Sequence, residues 1–241
     1  MIVNQIMRMI PTLKVNNRNL NESFYIETLG MKPLLEESAF LSLGDQSGIE
    51  KLVLEESPSM RSRKVKGVKK LARLIVKVEN SSEIEALLAR MEKLPQLYKG
   101  NKGYAFEVLS PEGDCVLVHA EDDIRDLEKV EEEVTFSKDE NMQYLTAFEI
   151  SVEVNLPEDT SSLLEKEEIE NRIAFREAQG GDLLVENNVT WDLSMLKFQV
   201  KELDLASLRQ RFEATGYFIP KSEKFFLTKD TNNVELWFEA V

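Results

Sequence analysis

The sequence predicts an α+β protein of two tandem domains, each a pair of similar strand-helix-strands units closing a curved mixed sheet. Three observations carry that prediction. A length of 241 residues suits two domains of ordinary size. One pattern of strands and helix recurs about 120 residues further along the chain. A strongly acidic stretch with few apolar positions separates the two occurrences.

The composition supports an ordinary core: 42% apolar and 31% charged residues, with only 10 Gly and 7 Pro, excludes disorder as the main state. The net charge of −14 is unevenly distributed. Residues 1–120 hold 17 Lys and Arg against 15 Asp and Glu, residues 121–141 hold 3 against 10, and residues 142–241 hold 10 against 19. This divides the chain into an N-terminal domain (1–120), an acidic linker (121–141) and a C-terminal domain (142–241). Such a chain repels nucleic acid and anionic lipid, so neither is an expected partner. No run reaches the roughly 18 to 20 apolar residues of a membrane span, and the start MIVNQIMRMIPTLKV does not read as a signal peptide. A cytoplasmic location is expected.

The elements follow from periodicity. In residues 74–121, Val76 and Val78 alternate with Lys77 as in a strand, and Ser82 with Glu85 reads as a capping box. Ile84, Leu87, Leu88, Met91 and Leu94 then form a buried helical stripe. In residues 196–239, Phe198 and Val200 flank Gln199, Asp204 reads as an N-cap, and Leu205, Leu208 and Phe212 form the stripe, with Gly216 as the stop. Residues 12–43 show a further copy, with Phe24, Tyr25 and Leu29 inward and Gly30 ending the helix. Residues 147–186 repeat it loosely: strand AFEISVEV, a helix near 161–169, and strands RIAFREA and DLLVE. Neighbouring units are expected to pair, so that each half closes its own sheet.

The stretches LKVNNRNLNESFYIETLGM (13–31) and SPEGDCVLV (110–118) resemble the signatures of the vicinal oxygen chelate superfamily, which includes glyoxalases and extradiol dioxygenases. In that superfamily paired βαβββ units form a cup. The whole arrangement is similar to the CppA family of Gram-positive bacteria, whose label is complement C3-degrading proteinase. The resemblance implies a small-molecule or protein partner, complement C3 among them, and its label leaves surface or extracellular release open.

Superfamily enzymes hold a divalent metal in the cup through His and Glu side chains at strand ends. Carried onto this sequence, the first-half positions are Ile10, Arg73 and Leu117, with a fourth near Leu52 or Leu54. These groups do not ligate a metal, so the N-terminal cup is expected to be metal-free, and Arg73 offers a planar fork to an anionic ligand. In the second half the positions are Glu149, Met195 and Glu235. The expected cofactor is none; the alternative is a divalent metal such as Mg²⁺, Ca²⁺ or Mn²⁺ in the C-terminal domain, on Glu149 and Glu235, should they converge. Arg73, Glu149 and Glu235 are therefore the candidate ligand-binding residues.

Three function classes follow: a metal-free binding protein, a metal-dependent lyase or dioxygenase in the second cup, and a proteinase acting on C3. The residues give the last no mechanism. Cys115 and His119 are the only cysteine and histidine, and four residues apart on a strand they stand about 13 Å from each other. H-E-x-x-H, G-x-S-x-G and D-T-G are absent, and Ser194 and Lys197, an S-x-x-K match, point to opposite faces of a strand. The basic run RSRKVKGVKKLAR (61–73) carries seven cations and no acid. It reads as a solvated loop at the rim, a partner for the acidic linker, or a dock for an anion.

Overall fold

The computed structural model describes residues 5–132, 134–137, 142–169 and 171–241. In chain order the elements are β1 (Ile6–Val15), α1 (Arg18–Ser23, continued by a π turn at Phe24–Thr28), β2 (Lys32–Glu37), β3 (Phe40–Gly44), β4 (Glu50–Glu56) and the short β5 (Arg63–Lys64). There follow β6 (Leu71–Val78), α2 (Ser81–Leu88), β7 (Gln96–Gly100), β8 (Gly103–Leu109), β9 (Cys115–His119), a 3-10 turn (Ile124–Asp126) and β10 (Glu128–Lys129). The remainder comprises β11 (Phe148–Pro157), α3 (Lys166–Ile169), β12 (Ile173–Ala178), β13 (Thr190–Trp191), β14 (Leu193–Val200), α4 (Leu205–Arg211), β15 (Phe225–Lys229) and β16 (Glu235–Ala240).

The fold class is as expected: two curved mixed sheets of vicinal-oxygen-chelate type, with few helices. The pairing of units inside that class differs from the expectation. The first sheet runs β15-β16-β14-β1-β4-β3-β2 and joins the first unit to the last. The second runs β10-β7-β8-β9-β6-β11-β12 and joins the two middle units. At each seam the leading strands lie antiparallel, Ile10 opposite Lys197 in one and Ile75 opposite Ser151 in the other. Within every unit the first and last strands are parallel: β1 with β4, β6 with β9, β11 with β12, and β14 with β16. The third unit lacks the strand expected at DLLVE, which forms turns instead. Asp182 there takes a bidentate hydrogen bond from Arg63, both contacts 2.6 Å, and a third from the Lys66 backbone N–H at 2.7 Å.

That contact explains the pairing. The basic run is not a free loop: much of it is clamped to residues 182–192, and among the described residues it makes no ion pair with the linker. Lys70 is buried, and its Nζ donates to the Val185 carbonyl at 2.7 Å. Burial pushes its pKa down to about 8. The buried Asp192 carboxylate accepts from the backbone N–H groups of Lys70 (2.7 Å), Leu71 (3.0 Å) and Leu193 (2.8 Å), binding the start of β6 to the start of β14. Lys69 meets Asp114 of the SPEGD turn at 2.5 Å. Short-range pattern records the units, whereas these long-range polar contacts select which units meet.

One face of each sheet is core. On β6 and β9, Leu74, Val76, Val78, Val116 and Val118 are buried with Ile84, Leu87 and Leu88 of α2. On β14 and β16, Phe198 stacks on Phe238 with ring centroids 5.0 Å apart, and Phe212 after α4 closes over Phe226 and Phe238. α2 ends at Leu88, so Met91 and Leu94 pack on the core from the following loop. Its cap is Asn80, whose Oδ1 accepts the Ser82 N–H at 3.1 Å, rather than the Ser82 box. Asp204 caps α4 as expected. Gly30 has φ +68°, and a Cβ there would meet the Leu87 side chain at 2.9 Å, so the turn needs glycine.

The acidic stretch is partly structured: β10 adds an edge strand to the second sheet, and Phe136 packs edge-on against Tyr104 at 5.1 Å. Its residues 133 and 138–141 lie outside the described ones.

Candidate ligand-binding cavity

Because strand side chains alternate, the residues between the core positions line the opposite face of each sheet. On the second sheet this face carries Arg73, Ile75 and Lys77 from β6, Cys115, Leu117 and His119 from β9, Glu107 from β8, and Glu149, Ser151 and Glu153 from β11. The register sets Glu107, Leu117, Ile75 and Ser151 in one row, His119, Lys77 and Glu149 in a second, and Arg73 opposite Glu153 in a third.

The third row is a self-neutralising network. Arg73 Nε lies 3.5 Å from both Glu107 Oε2 and Glu153 Oε2, and Arg176 on β12 donates to the other Glu153 oxygen at 2.7 Å. Glu153 is buried, and among the described residues its Oε2 has no hydrogen bond beyond that ion pair. Cys115 stands beside Glu107; burial first, and then that carboxylate, push its thiol up to about 11, so it stays protonated and unreactive at neutral pH.

The first two rows open into a cavity of about 810 Å³ between the sheets. Ile75, Lys77, His119, Glu149 and Ser151 form the wall from the second sheet. Arg8 and Met9 of β1 with Glu50 and Lys51 of β4 form the wall from the first. Asp122, Asp123 and Arg125 of the acidic stretch, with Arg172 beside β12, complete the rim. His119 is buried, and its Nδ1 has no hydrogen-bond partner among the described residues. Burial, with Lys77 and Lys102 nearby, lowers its pKa to about 4, so the imidazole is neutral at physiological pH.

The open face of the first sheet differs. It carries Glu235, Met195, Thr12 and Val53 in one row and Trp237, Lys197 and Ile10 in the next. Lys197 Nζ donates to Glu50 at 2.5 Å, Lys14 lies 3.4 Å from Glu55, and Phe225 stacks on Trp237 at 3.8 Å. Burial raises the Glu55 pKa; Lys14 opposes that shift and Glu235 adds to it.

The candidate residues are thus divided. Arg73 and Glu149 share one face of the second sheet, Arg73 inside the ion network and Glu149 on the cavity wall. Glu235 belongs to the first sheet, so Glu149 and Glu235 do not form one cup with each other. Leu52 and Leu54 are buried, and the residues of β4 that share the open face are Lys51, Val53 and Glu55. The residues at the superfamily's metal positions do not fit a divalent ion. The second sheet brings Arg73 and Leu117 together with Glu149, and the first brings Ile10 and Met195 together with Glu235. Among the described residues no three His, Cys, Asp or Glu side chains gather as a metal site. Arg8, Ser151 and Arg172 escaped the sequence reading, because no motif marks them. Only the alternation of β11 carried a signal for Ser151, two residues from Glu149.

Paired strand-helix-strand units in two mixed sheets, each with one open face, define a protein of vicinal-oxygen-chelate fold. Family models described as CppA N-terminal and CppA C-terminal match residues 8–130 and 145–238. The chain belongs to the CppA family. A cppA protein from Streptococcus pneumoniae is 67% identical, with a TM-score of 0.97 over 99% of this chain and 100% of its own. A candidate dioxygenase from Bacillus subtilis, 13% identical, aligns with a TM-score of 0.61 over 99% of this chain and 86% of its own. Glyoxalase I from Zea mays, 9% identical, aligns at 0.53 over 97% and 92%; at these identities the last two show the fold alone. No functionally curated protein matches the chain in sequence.

Proposed function

We propose that this CppA-family protein is a binding protein that takes a small ligand between its two sheets without metal chemistry. The observation that carries this reading is the 810 Å³ cavity, which is of the size of small-molecule sites and is walled by both sheets. Supporting it, four of the positions at which the superfamily holds metal carry Arg73, Leu117, Ile10 and Met195, none of them a ligand for a hard cation, and the two that carry carboxylates, Glu149 and Glu235, lie in different sheets. Arg73 supports the site from below by holding Glu153, and Glu149 faces the ligand directly.

Native mass spectrometry of the purified protein tests the reading. A small molecule should accompany the chain and be lost when Ser151→Trp fills the cavity. A chain that carries no ligand, or keeps it in that variant, would count against it. Metal analysis after purification without chelator should find far less than one equivalent; about one equivalent, lost in Glu235→Ala, would restore the lyase or dioxygenase alternative. The same reading expects complement C3 to remain intact on incubation with rigorously purified protein. The one S-x-x-K match is otherwise engaged: Ser194 Oγ donates to the Thr12 carbonyl at 3.1 Å, and Lys197 is held by Glu50.

A further inference from the structure

Resting on that reading of the cavity, we infer that its ligand is a small organic anion whose carboxylate or phosphate head lies between the guanidinium groups of Arg8 and Arg172. The charges on the walls are not all paired. Glu50 is already satisfied, by Lys197 at 2.5 Å and Ser42 at 2.6 Å. Asp122 lies between Lys77 at 3.1 Å and Lys102 at 2.7 Å, two cations for one carboxylate. Asp123 is held by Arg125, and Lys51 lies 3.6 Å from Asp45. Three charges remain. Among the described residues Arg8 donates only to the neutral Gln199 amide, at 3.1 Å. Arg172 and Glu149 have no side-chain partner among the described residues.

Two unmatched guanidiniums against one unmatched carboxylate, with a second lysine on Asp122, make the cavity net positive in a chain of charge −14. A positive concavity in an acidic protein concentrates anions against the long-range field. The two arginines belong to different walls, Arg8 to β1 of the first sheet and Arg172 to the approach to β12 in the second. The Val152 N–H donates to the Arg172 carbonyl at 2.9 Å, which sets that residue beside β11 and its Ser151. A planar guanidinium matches carboxylate and phosphate oxygens two at a time. Glu149 and the Ser151 hydroxyl, on the same face, suit a hydroxyl on the ligand's body. The neutral His119 adds no charge of its own at physiological pH.

The test is calorimetric titration of the full chain with citrate, glycerol 3-phosphate and uncharged glycerol. It is repeated on Arg8→Gln, on Arg8→Gln/Arg172→Gln, and on Ser151→Trp, each confirmed folded by circular dichroism. At least one anion should bind saturably, about tenfold or more weakly in the double variant and not at all in Ser151→Trp, while glycerol is silent. Citrate and glycerol 3-phosphate distinguish a carboxylate head from a phosphate one. Glycerol binding as well as the anions, or anion binding indifferent to the arginines but lost in Ser151→Trp, would overturn the anion while leaving the cavity reading in place. Failure of all three probes to bind, or binding untouched by Ser151→Trp, would overturn both. Arg8 is exposed, so its single variant keeps the proposal falsifiable even if the double variant does not fold.

Discussion

The two sheets share one face and differ on the other. Toward the helices both carry the same alternating rows of Leu, Val and Phe, and the same parallel closure of first and last strand in each unit. Away from the helices the first sheet presents an aromatic stack, Phe225 on Trp237, beside separate ion pairs. The second presents an ion network in which Arg73 and Arg176 meet the buried Glu153 and Arg73 also meets Glu107, with the protein's one cysteine and its one histidine. The helix-facing rows serve folding, and what distinguishes this chain's chemistry lies on the faces that folding leaves free. A second difference concerns assembly. The first sheet joins units from the two ends of the chain and the second joins neighbours across the acidic stretch, so the two are interlocked.

The largest test of that interlocking is Asp192. Its carboxylate holds the start of β6 in one sheet and of β14 in the other. Asp192→Ala leaves buried N–H groups without acceptors and takes away one of the two carboxylates near Lys69, which keeps Asp114. The expected destabilisation is about 4 kcal/mol, read by denaturant unfolding. Hydrogen exchange should quicken in both β6 and β14; a change confined to one strand would mean that the sheets hold independently.

Much of this architecture was legible in the sequence, for stated reasons. Alternation at Val76 and Val78 and at Phe198 and Val200, the helical stripe through Ile84, Leu87 and Leu88, and the Asp204 cap all report local physics that side-chain order encodes directly. Which unit joins which was not legible. Any two leading strands of this pattern can pair antiparallel, and the choice is made by Arg63 with Asp182 and by Asp192 with Lys70, contacts more than a hundred residues apart in sequence. The same gap divided the candidate site. Arg73 and Glu149 fell on one face because both count from a leading strand of the second sheet, whereas Glu235 was grouped with Glu149 only through the expected pairing of neighbours. The cavity itself, built from both sheets, had no signature in either half.

His119 sharpens the contrast next, since the first sheet carries no histidine. Unfolded, its imidazole takes a proton below about pH 6.5; folded, it does so only near 4. Across that window the unfolded chain binds more protons, so stability falls as the pH drops from 6.5 to 4. The contribution approaches about 3 kcal/mol at the acid end. His119→Gln should flatten the slope of unfolding free energy against pH there. An unchanged slope would mean that the ring titrates freely and that the cavity wall is wetter than its burial indicates.

The smallest effect separates the charges of the network beneath the cavity. Burial and the Glu107 carboxylate hold the Cys115 thiol up near 11, while Arg73 opposes them. Alkylation of the folded chain by iodoacetamide should therefore be slow at pH 8 and gain speed only in strongly alkaline buffer. Glu107→Gln removes the raising charge and should accelerate the reaction several-fold; Arg73→Gln removes the opposing cation and should slow it further. Opposite signs from two side chains 3.5 Å apart are the mark of an electrostatic cause, because a mere loosening of the sheet would speed alkylation in both variants. Equal acceleration in the two would place control of the thiol in burial alone, and the second sheet's open face would then differ from the first only in which residues it carries.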